Sequence, residues 1–373
     1  MRLPHHLVSS PFFLFEDVEQ LLSALGAHVT AIQTEQIRHL ASKGLPPIVS
    51  REALAVMLGV NSGLIWSFLN RPDRHYNSFN VAKGGGATRS ICAPRVALKV
   101  VQKWLSYHLA AQFKAPAHVH GFVPGRSHIS AAATHVGADW AFSVDLADFF
   151  PSTPERLVIE AYHAMGYDLM PARLLATLST YRGSLPQGAP TSPALSNIAF
   201  RRKDEALIEI ALRFDCKLTR YADDIVFSGR HAMPPELAAE VHALFEDEPW
   251  KLAPAKQLVQ PLKGRIKVHG LLVQRDGIRL TKGYRNQIRA YSHVLATRGG
   301  TAADSAKLRG HVQYACHVAE RTGSPSGIAW RHRGTRFWSQ DYAQGREAAE
   351  EGAQRAHDAP RGLLQMIRGW FSA

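Results

Sequence analysis

The chain predicts an α+β fold built on a mainly antiparallel sheet. Apolar residues recur at helical spacing, short β-forming stretches are closed by turn residues, and the order runs helix, hairpin, strand, helix, loop, helix, hairpin. Residues 14 to 70 read as helical: Phe15, Val18, Leu21, Leu22 and Leu25 share one spacing, as do Leu54, Val56, Met57 and Leu58 after Ser50. Tyr76 to Ala93 alternates around Gly84-Gly85-Gly86, which predicts a two-stranded hairpin. Pro94 ends it, and Leu98, Val101, Trp104 and Leu105 give Ala97 to Ala110 an amphipathic helical pattern.

Trp140 to Leu146 reads as a strand, with Asp145 at its end and Asp148 just beyond. Ser152-Thr153-Pro154-Glu155 predicts a helix start with a Ser or Thr cap, Pro in the first turn and Glu three residues after Ser152. Leu157, Val158, Ala161, Tyr162 and Met165 form that helix's core face. After the loop Leu185-Pro186-Gln187-Gly188, one helix is expected from Pro193 to about Phe214. Leu218 to Tyr221 and Ile225 to Phe227 read as short strands with Ala222-Asp223-Asp224 between them. From Lys282 the pattern is helical, with Leu308, Val312, Ala315 and Ala319 on one face. Residues 339 to 362 read as a mobile stretch and Leu363 to Phe371 as a docking helix.

The 373 residues are 46% apolar and 20% charged, enough for one large or two to three modest domains. No apolar run reaches the ~18–20 residues that span a bilayer. The N-terminus lacks the pattern of a signal peptide, so no membrane association and a cytoplasmic location are expected. Cys92, Cys216 and Cys316 stand far apart and supply neither a zinc motif nor a disulfide framework. His118 and His120 alternate faces with no third ligand nearby, which argues against zinc. The net charge of +13 favours a polyanionic partner, nucleic acid first.

Three carboxylates stand out by position. Asp223 and Asp224 are adjacent in a turn bracketed by β-formers, and Asp145 closes an apolar strand. Adjacent like charges repel unless a cation compensates, although Asp also favours turns for local reasons. Magnesium takes carboxylate and phosphate oxygens, and a pair of ions about 4 Å apart serves in-line phosphoryl transfer.

Three segments in this order carry a resemblance. Phe142 to Phe150 (FSVDLADFF), Leu185 to Asn197 (LPQGAPTSPALSN) and Arg220 to Asp224 (RYADD) resemble the carboxylate, template-and-nucleotide and YxDD motifs of reverse transcriptases. Residues 120 to 127 (HGFVPGRS) resemble the segment before the first carboxylate in bacterial retron-type enzymes, and the likeness spans roughly residues 50 to 320. Two elements depart from the retron pattern. Ala131-Ala132-Ala133-Thr134-His135 stands where Asn-Ala-x-x-His is usual, and Val268-His269-Gly270 where Val-Thr-Gly is usual. Both elements are associated with the family's own structured RNA.

The resemblance implies a right-hand polymerase. Residues 1–70 would form an N-terminal helical region, 71–135 fingers, 136–275 a palm, 276–325 a helical thumb and 326–373 a tail. It implies catalytic, metal-binding roles for Asp145, Asp223 and Asp224, with the Leu146 carbonyl as a further ligand to two Mg²⁺ ions, for which Mn²⁺ could substitute. Lys83 and Arg89 match cations that grip the triphosphate, as point charge and fork respectively. Asp148 and Phe149 match backbone contacts to it, Gln187 packs on the sugar and base, and Phe150 is the ring that excludes a 2′-hydroxyl. Lys256 matches a late lysine placed as general acid, or is an ordinary solvated cation.

Arg126, Lys282, Arg285 and Arg289 are candidates for the RNA–DNA hybrid backbone. Residues 282 to 373 hold 14 Lys or Arg against 7 Asp or Glu, a local excess of 14 − 7 = +7 that fits such contacts. The implied function is RNA-directed DNA synthesis from dNTPs on a structured non-coding RNA template and primer. The product would be msDNA, made in antiphage defence with a separate effector or toxin protein. Open alternatives are a non-retron defence enzyme making template-independent or repetitive DNA, a group II intron-derived enzyme, and an RNA-binding module on an inactive polymerase fold.

Overall fold

The computed structural model describes residues 4–82, 88–247, 249–261, 266–298 and 301–322. Its helical start comprises α1 (His5–Ser9), α2 (Val18–Leu25), α3 (Ala31–Ser42), α4 (Arg51–Leu58) and α5 (Ser62–Asn70). Each of α2 to α5 begins at a capping side chain: Asp17, Thr30, Ser50 and Asn61 accept hydrogen bonds from first-turn N–H groups. Leu21, Leu25, Ile37, Leu40, Leu54 and Phe68 then bury their apolar faces in one core. That core also takes in α6 (Val96–Gln112) through Trp104 and Leu105.

The expected hairpin is present as β1 (Tyr76–Ala82) and β2 (Thr88–Pro94), antiparallel from Tyr76 opposite Pro94 to Ala82 opposite Thr88. Lys83 and the glycine run fall outside the described residues. After α7 (His128–Thr134), β3 (Trp140–Asp145) enters a four-stranded antiparallel sheet. The sheet's other strands are β4 (Lys217–Tyr221), β5 (Asp224–Gly229) and β6 (Leu258–Pro261), in the order β4-β5-β3-β6. Inserted between β3 and β4 are α8 (Glu155–Met165), α9 (Leu169–Ser179), α10 (Ser192–Ala199) and α11 (Arg201–Arg213). The fold class is α+β, as the sequence predicts.

Alternation along the strands gives the sheet two buried faces. Trp140, Phe142, Val144, Ile225 and Phe227 pack with α11 and with α12 (Pro235–Leu244). Ala141 and Val226 face the other way, onto α7 and the small sheet β7 (Lys267–Val268), β8 (Leu271–Gln274) and β9 (Gly277–Leu280). The helices α13 (Lys282–Arg298) and α14 (Ala302–Thr322) follow, and Val318 joins this second core. Among the described residues, no helix is long and apolar enough to cross a membrane.

Three expectations change. Ser152 does not cap α8: its hydroxyl donates to the Ala147 carbonyl, that of Thr153 donates to the Phe149 carbonyl, and Pro154 stands at the cap without a side-chain bond. The turn before the helix claims these hydroxyls first. The helix expected from Pro193 to Phe214 breaks at Phe200, whose buried ring meets Phe149, Phe245 and Trp250. On α14, Val312 is 40% exposed and the packed residues are Tyr314 and Val318. The stretches 339 to 362 and Leu363 to Phe371 fall outside the described residues.

His135 ties α7 to the sheet. Its Nδ1 lies 2.7 Å from Ser228 Oγ on β5 and its Nε2 lies 2.7 Å from Thr219 Oγ1 on β4. Burial pushes the imidazole down to about 3, with the charges of His269 and Lys217 adding to the effect. The unfolded chain protonates this ring near 6.5 and the folded chain does not, so stability is full above that pH and falls as pH drops below it. Lowering the pH from about 7.5 to about 5 is expected to remove about 2 kcal/mol through this residue. Urea midpoints at the two pH values check this, and the slope should shrink in His135→Gln.

Candidate active site

The sheet brings the three sequence-predicted carboxylates to one end. Asp145 closes β3 directly opposite Asp224, the first residue of β5, and Asp223 lies in the turn between β4 and β5. The Leu146 N–H donates to the Asp223 carbonyl at 2.9 Å and the Ala253 N–H donates to the Asp145 carbonyl at 2.8 Å. Backbone bonds therefore fix the carboxylate-bearing residues before any ligand arrives. Lys256 Nζ pairs with Asp145 Oδ1, which brings in the late lysine that the sequence left between two roles. Burial holds the Asp145 carboxyl above the usual range; the Lys256 pair opposes this, and the charges of Asp223 and Asp224 add to it.

An Asp145 carboxyl raised in part by its neighbours' charge marks a site short of positive charge. Its donors are hard oxygens, the kind a divalent cation of the magnesium type takes. The residues therefore fit a divalent ion. Among the described residues, no three His, Cys, Asp or Glu side chains form a ready-made metal cage. Mg²⁺ commonly binds through one or two carboxylates together with substrate phosphates.

Beneath the turn lies a buried network that sequence reasoning missed. Arg220 on β4 is fully buried and grips Asp204 of α11 with two bonds of 2.7 and 2.6 Å. Its Nη1 also donates to Asn197 Oδ1 and to the Ala222 carbonyl, both at 3.1 Å. Burial acts to raise the Asp204 carboxyl, but the charge of Arg220 and the bonds from His118 and Arg220 hold it below its ordinary value. The guanidinium lies over the Phe200 ring at 4.8 Å. Asn197 Nδ2 donates to the Gly121 carbonyl, and the segment around Val119 runs as a parallel bridge beside Arg220. A Cβ on Gly121 would stand 2.2 Å from the Ala222 nitrogen, so only glycine fits there. Ala222 itself has φ 59°, a left-handed conformation that these contacts enforce. The available signal was an Arg inside an otherwise strand-like run together with an Asp on the core side of a helix.

The remaining predicted residues divide. Asp148 is exposed with φ 45°, and its carbonyl accepts from the Ser152 N–H at 2.8 Å. Phe149 is buried, whereas Phe150 is half-buried and leans on the exposed Phe122 with ring centres 5.8 Å apart. The Gln187 carbonyl accepts from the Cys92 N–H of β2 at 2.8 Å, tying the 185–188 loop to the hairpin. Gly188 at φ 127° lets that loop approach Ile91. Arg89 is exposed on β2 opposite Val81, and Lys83 lies outside the described residues.

On α13, Lys282 and Arg289 are exposed and Arg285 is half-buried. Arg126 departs from expectation. Its guanidinium donates to the carbonyls of Ala115, Pro116, Ala117 and Val119, so the side chain is turned onto its own loop rather than toward a nucleic acid. The histidines of the two elements that depart from the retron pattern are internal, with His135 fully buried and the His269 side chain 4% exposed.

Asp145, Asp223 and Asp224 thus stand together at one end of the sheet. Residues 81–273 match the family model described as reverse transcriptase (RNA-dependent DNA polymerase). The retron Mx65 reverse transcriptase of Myxococcus xanthus is 34% identical over 298 residues, covering 74% of this chain and 70% of that protein. The retron Ec86 reverse transcriptase of Escherichia coli is 24% identical over 294 residues, covering 78% and 90%. This chain belongs to the bacterial reverse transcriptases of retron type and is an RNA-directed DNA polymerase.

Proposed function

We propose that the enzyme copies a structured non-coding RNA into msDNA and serves antiphage defence beside a separate effector protein. The observation that carries the catalytic half of this reading is the meeting of Asp145, Asp223 and Asp224 at one sheet end with Lys256 against Asp145. Asp145, Asp223, Asp224 and the Leu146 carbonyl would hold two Mg²⁺ ions. When bound, these would activate the primer 3′-hydroxyl and neutralise the leaving pyrophosphate. Lys256 Nζ is placed to give a proton to that leaving group. Asp148 and Phe149 offer backbone to the triphosphate, Lys83 and Arg89 its countercharge, and Gln187 a surface for sugar and base. Lys282, Arg285 and Arg289 would hold the hybrid backbone. Residues 71–135, 136–275 and 276–325 act as fingers, palm and thumb.

Sequencing of the nucleic acid that co-purifies tests the product. A single defined DNA joined to RNA is expected; homopolymer or random DNA would sink the msDNA reading.

Phe150 would exclude a ribose hydroxyl, a role supported by its half-buried ring leaning on Phe122. A displacement near 1 Å at a reacting centre can cost about a hundredfold in rate. Phe150→Val is expected to retain DNA synthesis while narrowing the preference for deoxynucleotides by a factor approaching that size. Single-nucleotide incorporation of dNTP against rNTP measures it, and a folded, active variant with unchanged preference would remove the gate.

A further inference from the structure

The turn between β7 and β8 consists of His269 at φ 47° and Gly270 at φ 85°. A two-residue hairpin turn of this hand favours Asn-Gly, and His is among the few non-glycine residues that tolerate it. The turn therefore permits a histidine without requiring one. Its reason lies in what the imidazole touches. The side chain is 4% exposed, and Nδ1 lies 2.8 Å from Asp224 Oδ2. A carboxylate only accepts, so Nδ1 carries the hydrogen. The ring also leans on Tyr221, with centres 5.4 Å apart. Nε2 is buried without a hydrogen-bond partner. On either side of the turn, Val268 and Leu271 are anchored in the second core, so the imidazole is delivered by rigid backbone.

We infer that His269 is a positioning residue for the polymerase reaction: its Nδ1–H holds the Asp224 carboxylate by one oxygen in a single orientation. The inference rests on the reading of Asp145, Asp223 and Asp224 as metal-binding. A ligand carboxylate that can rotate must be ordered when the ion binds, and one already held by a neighbour need not be. Partners of this kind change metal affinity or activity by about 10–100-fold when removed.

The test uses the full-length enzyme and Mn²⁺ as probe, with free Mn²⁺ read by electron paramagnetic resonance and kcat and KM read by primer extension. His269→Leu is expected to weaken Mn²⁺ binding and lower kcat by about 10–100-fold, with KM for dNTP little changed. His269→Asn places an amide N–H where Nδ1 stood and suits the positive φ, so it should recover most of the loss. His269→Gln, whose donor sits one bond farther out, should not. Melting curves establish that each variant is folded; if the Leu variant is not, the Asn and Gln pair carries the comparison. Wild-type Mn²⁺ affinity and kcat in folded His269→Leu, or an Asn variant as impaired as the Gln variant, overturns the inference. Asp223→Asn is the control. If it loses Mn²⁺ affinity while His269→Leu keeps it, only the role of His269 falls; if it too binds Mn²⁺ as the wild type does, the metal reading of the triad falls with it.

Discussion

Primer extension by Asp223→Asn is expected to fall by at least about a thousandfold, the rate equivalent of the several kcal/mol that a lost catalytic metal contact removes. The exchange keeps the size of the side chain and leaves the backbone bond from Leu146 to the Asp223 carbonyl in place. It removes one negative charge from a cluster whose mutual repulsion already helps raise Asp145. The variant should therefore fold at least as stably as the wild type and bind RNA as tightly. Filter binding and gel-resolved extension separate the two properties. Normal extension would contradict a catalytic role for this turn.

The largest stability effect is expected at Arg220. Arg220→Met leaves Asp204, fully buried, with His118 Nε2 at 3.5 Å as its one remaining ion-pair neighbour among the described residues. Breaking a buried ion pair from one side costs about 3–5 kcal/mol, whereas replacing both partners by apolar residues can be close to neutral. Arg220→Met alone should unfold at much lower urea concentration. Adding Asp204→Leu should recover most of the stability, since the two residues act as one unit. Activity should not return with it, because Arg220 Nη1 also bonds the Ala222 carbonyl inside the catalytic turn. Full activity in the stable double variant would mean that the network supports the fold alone.

The elements legible in the sequence were those whose pattern is local. The hairpin around the glycine run, the helical spacing after Ser50, and the strand–turn–strand at Tyr221 to Asp224 follow from alternation and turn chemistry within a few residues. The three carboxylates were legible for the same reason, since each sits at the end of a readable strand. What escaped depends on partners far along the chain. Ser152 and Thr153 look like helix caps until their hydroxyls meet the carbonyls of Ala147 and Phe149. Phe200 continues a helical pattern, yet its ring is drawn into the Phe149, Phe245 and Trp250 cluster and the helix breaks there. Arg126 and Arg220 carry the same charge as surface cations, and only the folded chain shows them turned inward. His269 is one turn residue in the sequence and a neighbour of Asp224 in the structure.

The parallel bridge between Val119 and Arg220 and the close approach of Gly121 to Ala222 set the order in which the enzyme comes into being. Asp145 meets Lys256 across 111 residues of sequence, and Asp224 meets His269 across a further 45. During translation, the core begun by the N-terminal helices can close once the chain has reached Leu195, while the ribosome is still at work. The catalytic turn cannot. Its floor joins residues 119 to 121 to Asn197, Asp204 and Arg220, so Asp145 is added before that floor can close, Asp223 and Asp224 just after Arg220, and His269 later still. A nascent chain that stalls before that point holds the charged cluster without its full set of partners. The arrangement around Asp224 is thus completed only when the chain has grown past residue 269.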